Sequence, residues 1–324
     1  MRLRMSSPHV CMARVSETQV KTDNFIVSKR PRLAEVTRFP EMSIADYEQR
    51  LKSLQNKLQM IQQAYLGTAE RAVVVLEGWD TAGKGGVVRR MAWALDPRSF
   101  KVHPISAPSS WEQAQHYLQR FWERLPQRGE IVVFDRSWYG RVLVERVEQL
   151  TTVQAWKRAY REINEFERTL VADDIRLVKI FLHITPDEQI RRFKDRLTNP
   201  RKRWKLSYED FRNRERWQDY EVAIEDMMAR TSIKRSRWYL LPANNKPFAR
   251  FAALSILAEH LGRGVALEPR PLDASTAMAA SRLLSASGQP DSFTWPEGNV
   301  ARKSRGKRQR FQDPLIRRGE VLNN

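Results

Sequence analysis

A single cysteine, Cys11, occurs in 324 residues, so neither a disulfide framework nor a thiolate zinc site can be built. Long apolar runs are missing too. Nothing approaches the roughly 20 apolar residues that a membrane span needs, and residues 1–15 carry arginines without the apolar core of a secretory signal. The expectation is a cytoplasmic protein in a reducing compartment, with no membrane partner. Acidic charge is in short supply: 38 Asp and Glu face 57 Lys and Arg, giving a net charge of +19 and a pI near 10.4. Such a balance speaks of association with polyanions rather than of fold. Nucleic acid, an anionic membrane surface and polyphosphate all qualify, and a bland basic surface would be the alternative if the charge were spread evenly, which it is not.

With 41% hydrophobic residues the chain can bury a sizeable core. Residues 1–40 show no sustained periodicity and are expected to be disordered. From Ser43 on, Ile44, Tyr47, Leu51, Leu54, Leu58, Ile61 and Tyr65 recur at three- and four-residue spacings, one apolar stripe on a helix that Gly67 ends. Packing on the chain's own core is the simpler use of that stripe. A homo-oligomer, dimer or tetramer, is also expected, with this helix as its available surface.

Residues 72–77 (AVVVLE), 100–105, 131–135, 175–184 and 238–242 read as strands. Helical stretches at 111–125, 153–170, 208–230 and 248–261 separate or follow them. That alternation predicts an α/β domain, a five-stranded parallel sheet with helices on both faces, over residues 41–263. Residues 264–324, rich in Pro, Ser, Ala and Gly, are expected to be a disordered tail, and its segment 301–310 (ARKSRGKRQR) holds six basic residues, a solvated patch or a polyanion tether.

Residues 77–87 (EGWDTAGKGGV) place Gly78, Gly83 and Lys84 in a G-x-x-x-x-G-K frame directly after a strand and before a helix. This is the Walker A, or P-loop, context: backbone N–H groups around Gly78, Gly83, Gly85 and Gly86 surround phosphate oxygens, a helix expected over 87–95 follows, and Lys84 adds a mobile cation. Gly85 stands where a Ser or Thr would hold magnesium. Asp80, inside the loop, would be repelled by bound phosphates unless a cation or proton intervened, so it is the candidate metal ligand and a possible proton acceptor. Asp135 ends the strand IVVFD as a Walker B carboxylate and is the second candidate; capping the next turn is its plainer role. Arg136 and Arg141 in DRSWYGR could fork around phosphate oxygens. Tyr139 offers a ring to a base, although aromatics there more often pack in cores. Residues 191–205 hold eight basic residues and one acid, dense enough for a helical lid over about 186–214 that brings arginines to the phosphates, a solvated basic helix face being the plainer reading.

Together EGWDTAGKGG, FDRSWYGR and RKRWKLS, with the longer strings GEIVVFDRSWYGRVLVERVE, INEFERTLV and PANNKPFARFAAL, resemble the second family of polyphosphate kinases over much of residues 71–261. The resemblance implies a thymidylate-kinase-like P-loop fold and reversible, magnesium-dependent transfer (manganese being the alternative ion) between inorganic polyphosphate and a nucleoside mono- or diphosphate. On it, Asp80, Lys84 and Asp135 match catalytic and metal positions, Arg136 and Arg141 the nucleotide-side motif, and Arg203 with Lys205 the lid. EGWD with DRSWYGR looks closest to the subgroup that phosphorylates AMP. Nucleic acid is not required by this reading. Two rivals are an ATP-dependent nucleoside monophosphate kinase and a polyanion-binding protein with an inactive loop.

Overall fold

The computed structural model describes residues 20–27, 29–268 and 271–286. The chain divides into two units, residues 1–267 and 268–324.

In the first unit five strands form one parallel sheet: β1 (Arg71–Gly78), β2 (Phe100–Pro104), β3 (Ile131–Asp135), β4 (Ile175–His183) and β5 (Trp238–Pro242), in the order β2-β3-β1-β4-β5. β1 is central and its residues 72–77 are fully covered, as a strand with helices on both faces must be. Register runs from Ala72↔Ile131 to Leu76↔Asp135 on one side and from Arg71↔Ile175 to Gly78↔Leu182 on the other. The carboxyl ends of β1, β3 and β4 therefore lie together, where open α/β sheets hold their ligands.

Helices α1 (Ile44–Leu66), α2 (Lys84–Ala92), one-turn α3 (Ser110–Gln113), α4 (Gln119–Trp122) and α5 (Val144–Val147), α6 (Val153–Ala172), α7 (Pro186–Thr198), α8 (Tyr208–Glu215), α9 (Trp217–Thr231) and α10 (Lys246–Gly262) complete this unit. Ser43 caps α1 by accepting from the Asp46 N–H, as N-cap serines do. The apolar stripe of α1 is spent internally: Leu58, Ile61 and Tyr65 are fully buried, the Tyr65 hydroxyl donates to the Leu261 carbonyl at 2.8 Å, and Ile61 lies against Gly262. Ile44, expected on that stripe, is exposed. The stripe is thus no free oligomerisation surface.

Three expectations need correction. The helix anticipated over 111–125 is two single turns, because Ser109 and Glu112 close a capping box and the His116 ring accepts from the Leu118 N–H, a local bond that competes with helix continuation. The helix anticipated over 208–230 breaks at Arg216, whose guanidinium donates to the Val147 carbonyl while Trp217 turns onto Trp79. Residues 20–27 and 29–40, expected without structure, form a strap over the fold: Ile26 bridges Tyr239 on β5 antiparallel, the Val27 N–H donates to the Trp238 carbonyl at 2.8 Å, and Leu33 is 1% exposed with its N–H on Glu225 of α9. Single anchors such as Val27 and Leu33 carry no period, so patterning does not reveal them.

In the second unit, helix α11 (Ala274–Ala286) occupies part of the expected tail, with Asp273 accepting from the Ser275 and Thr276 N–H groups. Segment 301–310 and Cys11 lie outside the described residues.

Leu33→Ala tests whether the strap belongs to the fold. A loss of about 2–5 kcal/mol in urea unfolding is expected for emptying such a site, whereas a change under about 0.5 kcal/mol would mark it as a surface contact.

Candidate active site

β1 runs into its loop through Gly78, where a Cβ would meet the Leu182 carbonyl oxygen at 2.6 Å. Only glycine lets β1 and β4 approach so closely. Gly83, with φ +114°, caps α2. The loop then wraps so that Asp80, Gly83, Lys84, Gly85 and Gly86 line a cavity of about 660 Å³, together with Asp135, Arg136 and Lys205. Gly78 is behind this wall, and its contribution is its carbonyl, which accepts from Lys84 Nζ at 2.7 Å; Trp79 supplies a second acceptor at 3.3 Å. An ammonium has three donors, so one remains to turn into the cavity. A Cβ at Gly85 would meet nothing within 4 Å, so the missing hydroxyl there is not forced by crowding.

The structure brings Asp80 and Asp135 to the same cavity. Each oxygen of Asp80 accepts one bond, Oδ1 from Arg136 at 3.0 Å and Oδ2 from Asn213 at 2.9 Å. Thr81 and Arg136 both take positive φ, 67° and 66°, a strained conformation of order 1–3 kcal/mol each that functional sites tolerate when their surroundings hold it. Behind them Glu77, fully enclosed, accepts from the Ser137 hydroxyl at 2.8 Å, and burial pushes its carboxyl above the usual range. Trp79 Nε1 donates to His183 Nδ1 at 3.0 Å, and burial pulls the His183 imidazole down to about 4. The ring is therefore neutral, with its proton on Nε2.

Three residues expected here are placed elsewhere. Tyr139 is 0% exposed: its hydroxyl donates to Glu167 at 2.5 Å and takes a bond from Lys179 Nζ at 3.0 Å. Glu167 also accepts from Trp138, Ser236 and Lys179, so WY in DRSWYGR ties β4, α6 and the approach to β5 into a buried polar hub and presents no ring to a nucleobase. Arg141 pairs with Glu145 at 2.8 Å, donates to Thr151 and stacks over Tyr117. Arg203 donates to the Leu197 carbonyl. Neither Arg141 nor Arg203 lines the cavity. Their motifs mark a neighbourhood, and the fold decides which members face inward.

Conversely, several cavity residues were missed. Arg89, Arg90, Lys246 and Arg250 join the wall. Lys246 and Arg250 are four apart in the first turns of α10, ahead of its apolar stretch, a one-sided cationic pair that periodicity could have exposed. Arg192, from the lid segment, is 2% exposed; its guanidinium donates to the carbonyls of Thr81, Ala82, Ala243 and Asn244 and to Glu188. In all, ten Lys and Arg and four Asp line the cavity. The excess raises the cost of each further positive charge. Burial first, then Arg192, pushes the Lys246 ammonium down to about 8, and burial with Arg89 lowers Lys205.

A parallel sheet, a glycine-bearing loop opening a helix, a strand-end aspartate and a basic helical segment over residues 186–205 define a P-loop kinase-like protein. The polyphosphate kinase 2 family model matches residues 41–265. A polyphosphate:AMP phosphotransferase of Pseudomonas syringae pv. tomato is 44% identical over 229 residues, 71% of this chain and 46% of that protein. An AMP/ADP-polyphosphate phosphotransferase of Meiothermus ruber is 37% identical over 234 residues, 72% and 85% of the two chains. The crystal structure of polyphosphate kinase 2 from Arthrobacter aurescens TC1 superposes with a TM-score of 0.69 at 31% identity, over 81% of this chain and 99% of that one. The chain belongs to the polyphosphate kinase 2 family, and it spans less than half the length of the first of these relatives.

Two outcomes follow from this geometry. Glu167→Ala strands Lys179 in the core and should cost about 3–5 kcal/mol in urea unfolding; a loss under about 1 kcal/mol would deny the hub its structural role. An anion in the cavity should raise the Lys246 pKa, so tripolyphosphate affinity measured by calorimetry should fall as pH rises through about 8, and Lys246→Met should flatten that limb. An unchanged limb in the variant would place the titrating group elsewhere.

Proposed function

We propose that this protein transfers a phosphoryl group between inorganic polyphosphate and an adenine nucleotide, AMP or ADP, with magnesium, in the cytoplasm. The observation that carries this reading is the cavity: ten cations against four carboxylates, arranged around a phosphate loop. A polymer bearing about one charge per unit neutralises such a wall over its length, while a single nucleotide tail leaves most of it uncompensated. The names of the relatives support the same donor and acceptor classes.

In this reading the loop N–H groups and the amino end of α2 bind the terminal phosphates. Lys84 turns its third donor to the oxygens of the transferring group, and Arg136 holds the acceptor's phosphate. The acceptor's phosphate oxygen attacks in line, forming one P–O bond as the bridging P–O bond of the polymer breaks. Lys205, Lys246 and Arg250 steady the shortened chain that leaves. Such chemistry asks for position and charge rather than for a covalent nucleophile.

The residues fit a magnesium ion. A carboxylate has about four lone-pair sites, of which Asp80 uses one on each oxygen, and no hydrogen bond reaches the Asp135 carboxylate among the described residues. No group of three or more His, Cys, Asp or Glu is assembled among the described residues. That suits an ion which takes one or two carboxylates and completes its shell with phosphates and water. Asp80 and Asp135 would hold it, and when bound it supplies neutralisation of phosphate charge.

ADP formed from AMP and polyphosphate, with no ATP added, is the deciding assay. Lys84→Ala should lower that rate by at least about 100-fold, a loss typical of removing one electrostatic donor to transition-state charge. Turnover that needs ATP as donor would contradict the proposal.

A further inference from the structure

Asp80 is held from α7 and α8 as well as from Arg136 after β3. Its carbonyl accepts from Gln189 Nε2 at 3.2 Å, so the backbone is fixed from α7 and what remains free is the rotation of the carboxylate. Arg136 takes Oδ1, and Asn213, from α8, takes Oδ2. Asn213 does not line the cavity. It touches the site only through Asp80.

The amide has one orientation that works. A carboxylate can only accept, so Nδ2 must face Asp80, and Oδ1 then needs a donor on its other side. Tyr220, from α9, provides it: its hydroxyl lies 3.1 Å from Asn213 Oδ1. Glu148, whose far oxygen is held by Arg212 Nε at 3.1 Å, lies 3.4 Å from the same hydroxyl. At the preceding loop position, Trp79 stacks on Trp217 with centroids 3.6 Å apart and planes 6° from parallel. Two successive loop residues are thus each docked by a side chain from the α8–α9 root of the lid.

We infer that Asn213 is a positioning residue, which fixes the Asp80 carboxylate in the cavity only while the α8–α9 root is docked against the phosphate loop. Lid placement and loop geometry become one event. Part of the test rests on the proposed transfer reaction, and part is independent of it.

The independent part is a double-mutant cycle on tripolyphosphate affinity, measured by calorimetry with and without magnesium for the wild type, Asn213→Ala, Asp80→Asn and the double variant. Asn213→Ala should remove about tenfold of the magnesium-dependent gain, the usual scale for a group that orients a ligand. Magnesium-free affinity should stay within about twofold, and the second substitution should add nothing in the Asp80→Asn background. Tyr220→Phe, which keeps the ring and removes only the hydroxyl, should move the same quantity in the same direction by less. In turnover from polyphosphate to AMP, Asn213→Ala should lower kcat about tenfold and leave KM for polyphosphate within about twofold. Equal losses in both backgrounds, or a fall confined to magnesium-free affinity, would overturn the inference. A wild type that fails to use polyphosphate would sink the proposed reaction, while the binding cycle still decides the role of Asn213.

Discussion

One guanidinium holds the phosphate loop in place. Arg192 is 2% exposed and gives hydrogen bonds to two loop carbonyls, two carbonyls ahead of α10, and Glu188 on its own helix. Arginine can do this because its five N–H donors form a planar fork and its charge is not lost on burial. The carbonyls of Thr81 and Ala82 are thereby turned onto Arg192, and the Ala82 N–H closes the loop onto the Trp79 carbonyl at 3.0 Å. Burying the charge is costly unless every donor is satisfied, and here the partners are backbone carbonyls from two separate segments and the Glu188 carboxylate. The path of the loop along the cavity wall follows from that arrangement.

Around this clamp the electrostatics are unbalanced by construction. Asp195 engages Lys202 at 2.8 Å, and Arg136 pairs with Asp80, but the four acids cannot offset ten cations. Burial lowers the ammonium pKa values of Lys246 and Lys205, and the neighbouring cations Arg192 and Arg89 lower them further. An extended polyanion relieves the excess at several points at once, which a small ligand cannot do. Long-range attraction of the same sign comes from the chain's +19 net charge, which speeds encounter with an anion without selecting its shape.

Much of this was legible in the sequence, and the limits have physical causes. Strand-helix alternation located all five strands, since buried parallel strands announce themselves as short β-branched runs. The loop frame located Lys84, Asp80 and the glycines because a phosphate cradle needs those residue types at that spacing. Tyr139 shows where motif reasoning fails: adjacency to Asp135 and Arg136 in the chain says nothing about which way a ring turns, and its hydroxyl was already claimed by Glu167 and Lys179. Arg141 and Arg203 fail for the same reason. Lys246 and Asn213 escaped because each acts from an element distant in sequence, and Leu33 because a lone anchor in a strap has no period to betray it.

The central claim is that this cavity is a binding site for a chain of phosphates, many contacts long. Its most direct test is the affinity for medium-chain polyphosphate, with magnesium held constant, across a potassium chloride series. The logarithm of the association constant should fall linearly with the logarithm of salt concentration, losing at least about tenfold between roughly 50 and 200 mM as several counterions are released. An affinity that stays level over that range would contradict the account.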